Sequence, residues 1–372
     1  MRGGVRTAPS VRRADPIPHG THRERGGRGY HPATVNRKRI HLLHTGGTLG
    51  MWAVSGRLAP GPFLSGILSD VPELARVAEV DVEILMNKDS SDMTPSDWDE
   101  IAAAVEAKMD AYDGFVVIHG TDTMAFTASA LSFALRGLKK PVVLTGSQRP
   151  LSAIPSDGRL NLVSAVDLAT RDVPEVTIFF GRQLLRGNRS SKVSVERYDA
   201  FESPNYPPLG RVGLDVDLHP ALVRRPGAEP FRRLAGFDTN VAHVTCWPGA
   251  PATSVSRAVE AGAKVVVVGA FGTGNVPGTE WPRAFDAARR RGAVVLLLSQ
   301  CGHGSVRPHL YAGGRAALEA GALAGHDMTL EAAISKSMHL LGQGLSGDAL
   351  RRTLASDLAG ELTIDEGARP AP

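Results

Sequence analysis

The chain has 372 residues, a formal net charge of +4, 42% hydrophobic residues and 22% charged residues. That length suggests two or three domains, and the composition suits a globular protein with a sizeable core. No apolar run approaches a membrane span and no apolar stretch follows the basic N-terminus, so neither a spanning helix nor a secretory leader is expected. Cys246 and Cys301 stand far apart. They make no disulfide framework and share no ligand spacing with a histidine cluster, so a reduced, cytoplasmic protein without a metal site is expected.

Most of the positive charge is local. Residues 1–39 hold nine Arg and one Lys against Asp15 and Glu24, a balance of +8 that leaves the rest of the chain at −4. This stretch is rich in Gly, Pro and Arg and poor in large apolar residues, so residues 1–38 are expected to be a disordered basic tail. The basicity therefore says little about the body, and a nucleic-acid partner is not expected.

From Arg39 onward short apolar runs alternate with helical patterns. "RIHLLHTGG" reads as a buried strand entering a glycine loop, and "VDVEILMNKDSSD" as a strand entering a polar loop. "TPSDWDEIAAAVEAKMDAYDG" reads as a helix with Thr94 as its cap, Pro95 at its first position and Asp97 where a capping box places its acid, ending at Gly114. "FVVIHG" is a third strand, followed by the helix "TMAFTASALSFALRGL". "PVVLTGS" and "VTIFFG" are further strands around the helix "DGRLNLVSAVDLATRD". Strand, loop and helix in repetition predict a parallel-rich sheet with helices on both faces, in a larger N-terminal domain at 39–204. Proline density rises through "ESPNYPPLG" and "HPALVRRPGAEPFRR", where a linker is expected at 205–238. Two more strands, "AKVVVVGA" and "GAVVLLLSQ", and two amphipathic helices near the end predict a smaller α/β domain at 239–366.

The polar loops "HTGGTLG", "KDSSDM" and "HGTDT" each follow a strand, so all three should open on the carboxyl edge of one sheet, where ligands of such folds sit. The glycines at 46, 47 and 50 lack dinucleotide spacing and no phosphate-loop lysine follows, which excludes the two common nucleotide cradles. A hydroxyl nucleophile fits better. Glycines bring backbone close to a ligand, and their N–H groups could serve an oxyanion. A threonine needs a base to become a nucleophile, and a lysine held by an aspartate could provide one. Each piece alone also has a structural explanation: a turn at "TGGT", a helix cap at Asp122, a surface role for Lys192.

The motifs "HTGGTLGM", "DSSDMTPSDW", "YDGFVVIHGTDTMAFTASALSFAL", "PVVLTGSQRPL", "SDGRLNLVSAVDLA", "RGNRSSK" and "GNVPG" run in one order from Arg39 to Leu362. In this they resemble the bacterial L-asparaginases, particularly the cytosolic type I branch. The resemblance implies that Thr48 is the nucleophile, attacking the side-chain amide of L-asparagine, releasing ammonia and leaving a β-aspartyl ester for water. It implies that Thr121, Asp122 and Lys192 form a second catalytic set. Ser90, Ser91 and Asp122 would hold the substrate's α-carboxylate and α-amino groups, and Asn275 would reach a neighbouring subunit's site in a homotetramer of intimate dimers. The family uses no metal or organic cofactor. One position departs from the pattern: in the lid "MWAVSGRLAPGPF", Arg57 stands where the family carries a tyrosine. A glutaminase-type amidohydrolase, an amidotransferase subunit and a low-turnover asparagine or aspartate binder are the alternatives.

Overall fold

The computed structural model describes residues 37–54, 57–60 and 66–364, with the backbone alone at 52–54 and 57–60. Residues 1–36, where most of the expected tail lies, fall outside the described residues. Arg37 and Lys38, also assigned to that tail, already contact the body: Arg37 donates to the Ala75 carbonyl at 2.6 Å and Lys38 pairs with Asp113 at 3.3 Å.

The first domain is built on an eight-stranded sheet. Its parallel part runs, in spatial order, Glu79–Lys88, Arg39–Gly46, Gly114–Ile118, Val142–Thr145 and Val176–Phe180. Gln183–Arg186, Gly210–Val212 and Val216–Leu218 extend it antiparallel. These last two strands fall inside the stretch 205–238.

The near-continuous apolar runs are explained by burial on both faces. Leu43 and Val117 pack with Ile101 and Leu131 of the helices Pro95–Lys108 and Met124–Ala134 on one side. Leu42 and Val116 pack with Leu162 and Val166 of the helix Gly158–Ala169 on the other. Adjacent residues of one strand thus serve opposite cores, as the pleat requires.

The expected capping box is present: Thr94 donates from its backbone N–H and its hydroxyl to Asp97, at 2.7 and 2.8 Å. The helix stops at Lys108, earlier than Gly114, because Gly114 already pairs with Ile40 as the first residue of the next strand. The following helix likewise stops at Ala134, where Leu135–Arg136 pairs with Arg232–Arg233.

The second domain carries a four-stranded parallel sheet, ordered Val241–Thr245, Val265–Ala270, Val294–Ser299 and Leu323–Ala324. One face packs on Val255 and Phe285, the other on Leu340 and Leu350. The chain is therefore α/β throughout, a larger parallel-rich domain followed by a smaller one. Among the described residues no helix is long and apolar enough to cross a membrane.

Candidate active site

The Arg39–Gly46 strand has Glu79–Lys88 on one side and Gly114–Ile118 on the other. The direction of winding reverses there, and the crevice beyond the carboxyl ends of such neighbouring strands is the natural ligand position. The first threonine loop leaves the end of Arg39–Gly46 and the second the end of Gly114–Ile118, so both open into it.

The first loop turns sharply after Thr45, with Gly46 at φ +119° and Gly47 at φ +90°. Side chains rarely adopt those conformations. The space is also closed to them: a Cβ on Gly47 would lie 2.4 Å from the Gly120 nitrogen, and one on Gly120 would lie 2.6 Å from the Ser90 hydroxyl oxygen. Three loops from three strands therefore touch through atoms that only glycine leaves free. Thr48 begins the short Thr48–Gly50 turn and is half-buried. The lid beyond it is an antiparallel hairpin, Met51–Val54 with Arg57–Pro60. Arg57 pairs with Val54 through the backbone, and its side chain lies outside the described residues.

Buried histidines support both loops. The Gly46 N–H donates to His44 Nδ1 at 3.1 Å. His119 bridges its own loop to the helix behind it, its Nδ1 lying 2.8 Å from the Gly120 carbonyl and its Nε2 2.9 Å from the Thr127 hydroxyl. Burial pushes both imidazoles down from 6.5 to about 4, so both are neutral near pH 7. A neutral His44 can accept the Gly46 bond, which an imidazolium could not.

In the second loop Lys192 Nζ donates to Thr121 Oγ at 2.8 Å and to Asp122 Oδ1 at 2.7 Å. The Asp122 side chain is 66% exposed and that of Lys192 only 17%. The lysine thus reaches from beneath toward an open carboxylate. It comes from the two-residue strand Ser191–Lys192, paired with Phe201–Glu202. Because Lys192 already donates to Thr121, the Thr121 proton must find another acceptor. The Gln148 amide oxygen lies 3.4 Å away, and its nitrogen donates to the Arg197 carbonyl at 3.2 Å. Gln148 sits in the quoted "TGSQRP", but a lone loop glutamine carries no sequence signal of a role.

Ser90 is buried in the turn Ser90–Asp92, and its carbonyl accepts from Thr123 Oγ at 2.7 Å, tying the "DSSD" loop to "HGTDT". Ser91 is exposed and donates from both its N–H and its hydroxyl to Asp89, at 2.9 Å each. Its hydroxyl serves the turn in this structure. Asn275 lies in the second domain, in the turn where it and Phe271 bond to each other. Its side-chain oxygen is buried and accepts no hydrogen bond. The fold thus gathers Thr48, Ser90, Thr121, Asp122 and Lys192 at one edge and leaves Asn275 on the other domain. Among the described residues no group of three or more His, Cys, Asp or Glu could hold a metal ion.

Two family models match the chain, "Asparaginase, N-terminal" over residues 39–224 and "Glutaminase/Asparaginase C-terminal domain" over residues 240–354. L-asparaginase 1 of Escherichia coli (strain K12) is 40% identical over 347 residues, covering 89% of this chain and all of that protein. The 60 kDa lysophospholipase of Mus musculus is 41% identical over 355 residues, covering 88% of this chain and 63% of that longer protein. Among solved structures, L-asparaginase I from Vibrio cholerae superposes with a TM-score of 0.82 at 38% identity, covering 88% of this chain and all of that one.

Proposed function

The chain belongs to the asparaginase and glutaminase family, and on that premise we propose that it hydrolyses L-asparagine to L-aspartate and ammonia. The observation that carries the site assignment is the forked contact of Lys192 with Thr121 and Asp122, one glycine contact away from the Thr48 loop.

In this reading the Thr48 hydroxyl adds to the side-chain amide carbon. The amide nitrogen leaves as ammonia, taking up the proton that the hydroxyl gives up, and a β-aspartyl ester remains on Thr48. Water held by Thr121, whose oxygen Lys192 polarises, then adds to the ester carbon, and its proton passes to the Thr48 oxygen as that C–O bond breaks. Collapse frees L-aspartate and restores the Thr48 hydroxyl. Ser90, Ser91 and Asp122 face the α-carboxylate and α-amino groups. Since both the N–H and the hydroxyl of Ser91 are turned to Asp89, its share would come only after its hydroxyl rotates away from that turn. The same reading places the protein in the cytoplasm as a dimer of dimers, with Asn275 completing a neighbour's site. It takes 39–204 and 239–366 as the domain limits and the N-terminal stretch as dispensable.

The test is ammonia release from L-asparagine and from L-glutamine by the full chain, beside Thr48→Ala. The wild type should favour asparagine, and Thr48→Ala should lose turnover by orders of magnitude while folding normally. Near-normal turnover in Thr48→Ala would remove Thr48 as the nucleophile. A glutamine kcat/KM above that for asparagine would make the protein a glutaminase. One methylene is worth only about 1–3 kcal/mol in a pocket, so the comparison must be quantitative. Sedimentation of the full chain tests the tetramer.

A further inference from the structure

The segment "RGNRSSK" leads directly into Lys192, yet the chemistry above uses only its last residue. Two of its other polar side chains, those of Asn188 and Arg189, grip the C-terminal stretch Ser356–Thr363, which follows the last helix, Gly347–Leu354, and returns from the second domain onto the first.

Consecutive strap carbonyls are taken one by one. Asn188 Nδ2 donates to the Ala359 carbonyl at 2.9 Å, and Arg189 Nε to the Gly360 carbonyl at 2.7 Å. Arg189 Nη2 reaches the Thr363 hydroxyl at 3.0 Å. Asp327 closes the circuit, pairing with Arg189 at 2.8 Å and accepting from the Thr363 N–H at 2.7 Å. Asn188 and Arg189 are both buried, whereas Thr363 lies at the exposed end of the strap. The strap is held from its own side as well. Lys336 and Glu361, both without exposure, pair at 2.6 Å, while Glu361 accepts from the Leu358 and Ala359 N–H groups.

Around Lys192 itself the anchors are a ladder of two residue pairs, the Val193 N–H on the Ala200 carbonyl at 2.8 Å and the Ser191 hydroxyl on Glu331 at 2.9 Å. A further anchor is the turn Gly187–Arg189, three residues upstream, closed by the Ser190 hydroxyl on the Arg186 carbonyl at 2.7 Å. That turn is pressed onto the helix behind, since a Cβ on Gly187 would meet the Ala128 Cβ at 3.0 Å. The strap therefore supplies the bonds that stop the turn from shifting along the helix. A displacement of about 1 Å in a reacting group can cost roughly a hundredfold in rate.

We propose that the C-terminal strap Ser356–Thr363 is a positioning element for Lys192, acting through Asn188 and Arg189. The second domain thereby sets the geometry of a catalytic group on the first. This rests on the reading of Lys192 as catalytic.

The test compares the full chain carrying Asn188→Ala, Thr363→Val, Arg224→Ala or Lys192→Met, by kcat and KM for L-asparagine and by melting temperature. Arg224 is the control. It holds the same strap, pairing with Asp357 at 2.6 Å and donating to the Leu358 carbonyl, but it lies outside the segment that carries Lys192. Asn188→Ala should lower kcat about tenfold with KM within twofold. Thr363→Val, at an exposed end that will tolerate it, should lower kcat about threefold. Arg224→Ala should lower the melting temperature and leave both constants unchanged. Unchanged kcat in Asn188→Ala and Thr363→Val overturns the inference. So does a fall in kcat that tracks melting temperature across all three strap variants. If Asn188→Ala does not fold, Thr363→Val against Arg224→Ala decides. Full turnover in Lys192→Met defeats the catalytic reading and this inference with it, whereas an inactive Lys192→Met beside normal strap variants defeats this inference alone.

Discussion

Lys192→Met should separate catalysis from stability. The substitution keeps most of the side chain's length and apolar contact and removes the ammonium. What loses a partner is Thr121 Oγ, at 2.8 Å, and Asp122 Oδ1, at 2.7 Å. Asp122 is 66% exposed, so water replaces the lost contact, and an ion pair of that kind is worth about 0–1 kcal/mol. Thr121 keeps its hydroxyl near Gln148. The fold should therefore lose at most about 1 kcal/mol. Catalysis loses more, because general acid–base help from a positioned group contributes about 10²- to 10⁴-fold, or roughly 3–5 kcal/mol of barrier. Steady-state ammonia release and a thermal melt on the same preparation read both quantities. The expected result is a fall in kcat of at least about a hundredfold with a nearly unchanged melting temperature. A variant that melts much earlier but turns over normally would refute the reasoning, since Lys192 would then be a structural residue.

Lys336→Met makes the opposite case. Its partner Glu361 is fully buried, and breaking such a pair costs about 3–5 kcal/mol, so the melting temperature should fall steeply, and Lys336→Met/Glu361→Gln, which removes the stranded charge but keeps an oxygen for the Leu358 and Ala359 N–H groups, should recover part of the loss. A double variant no more stable than the single one would count against the pair. Gly47→Ala should abolish most activity, because its Cβ would lie 2.4 Å from the Gly120 nitrogen at φ +90° and push the two threonine loops apart; normal kinetics would show that the loops need not touch. Acid should weaken the fold through His44, His119 and His339, each lowered by burial from 6.5 to about 4. The unfolded chain binds more protons between those values, so stability is complete above about pH 6.5 and falls toward pH 4, by about 3 kcal/mol for each histidine. Melting temperatures that stay flat from pH 7 to pH 4.5 would contradict this.

Local chemistry made much of the first domain legible. Unbroken apolar runs announced strands buried on two faces, and Thr94, Pro95 and Asp97 announced a helix start that the structure places at Pro95. Helix ends were harder to read. Gly114 looked like a stop signal, but its N–H and carbonyl belong to a strand beside Ile40, a competition settled by tertiary pairing. The stretch 205–238 read as connection because proline and charge recur through it, and its short hairpin Gly210–Val212 with Val216–Leu218 joins a sheet only through the edge strand Gln183–Arg186.

At the site, the sequence by itself supplied residue types and order: glycines beside threonines after strands, and a lysine in "RGNRSSK" some seventy positions beyond "HGTDT". It could not say that Lys192 would reach Thr121 and Asp122, that Gln148 would take up the other side of Thr121, or that Asn188 and Arg189 would hold the C-terminal strap. The physical reason is range. Turn conformation, capping and strand burial depend on a few neighbouring residues, so their signatures lie in short windows. A hydrogen bond across 71 or 171 positions depends on where two sheet edges and a returning segment come to rest, which only the packed chain decides.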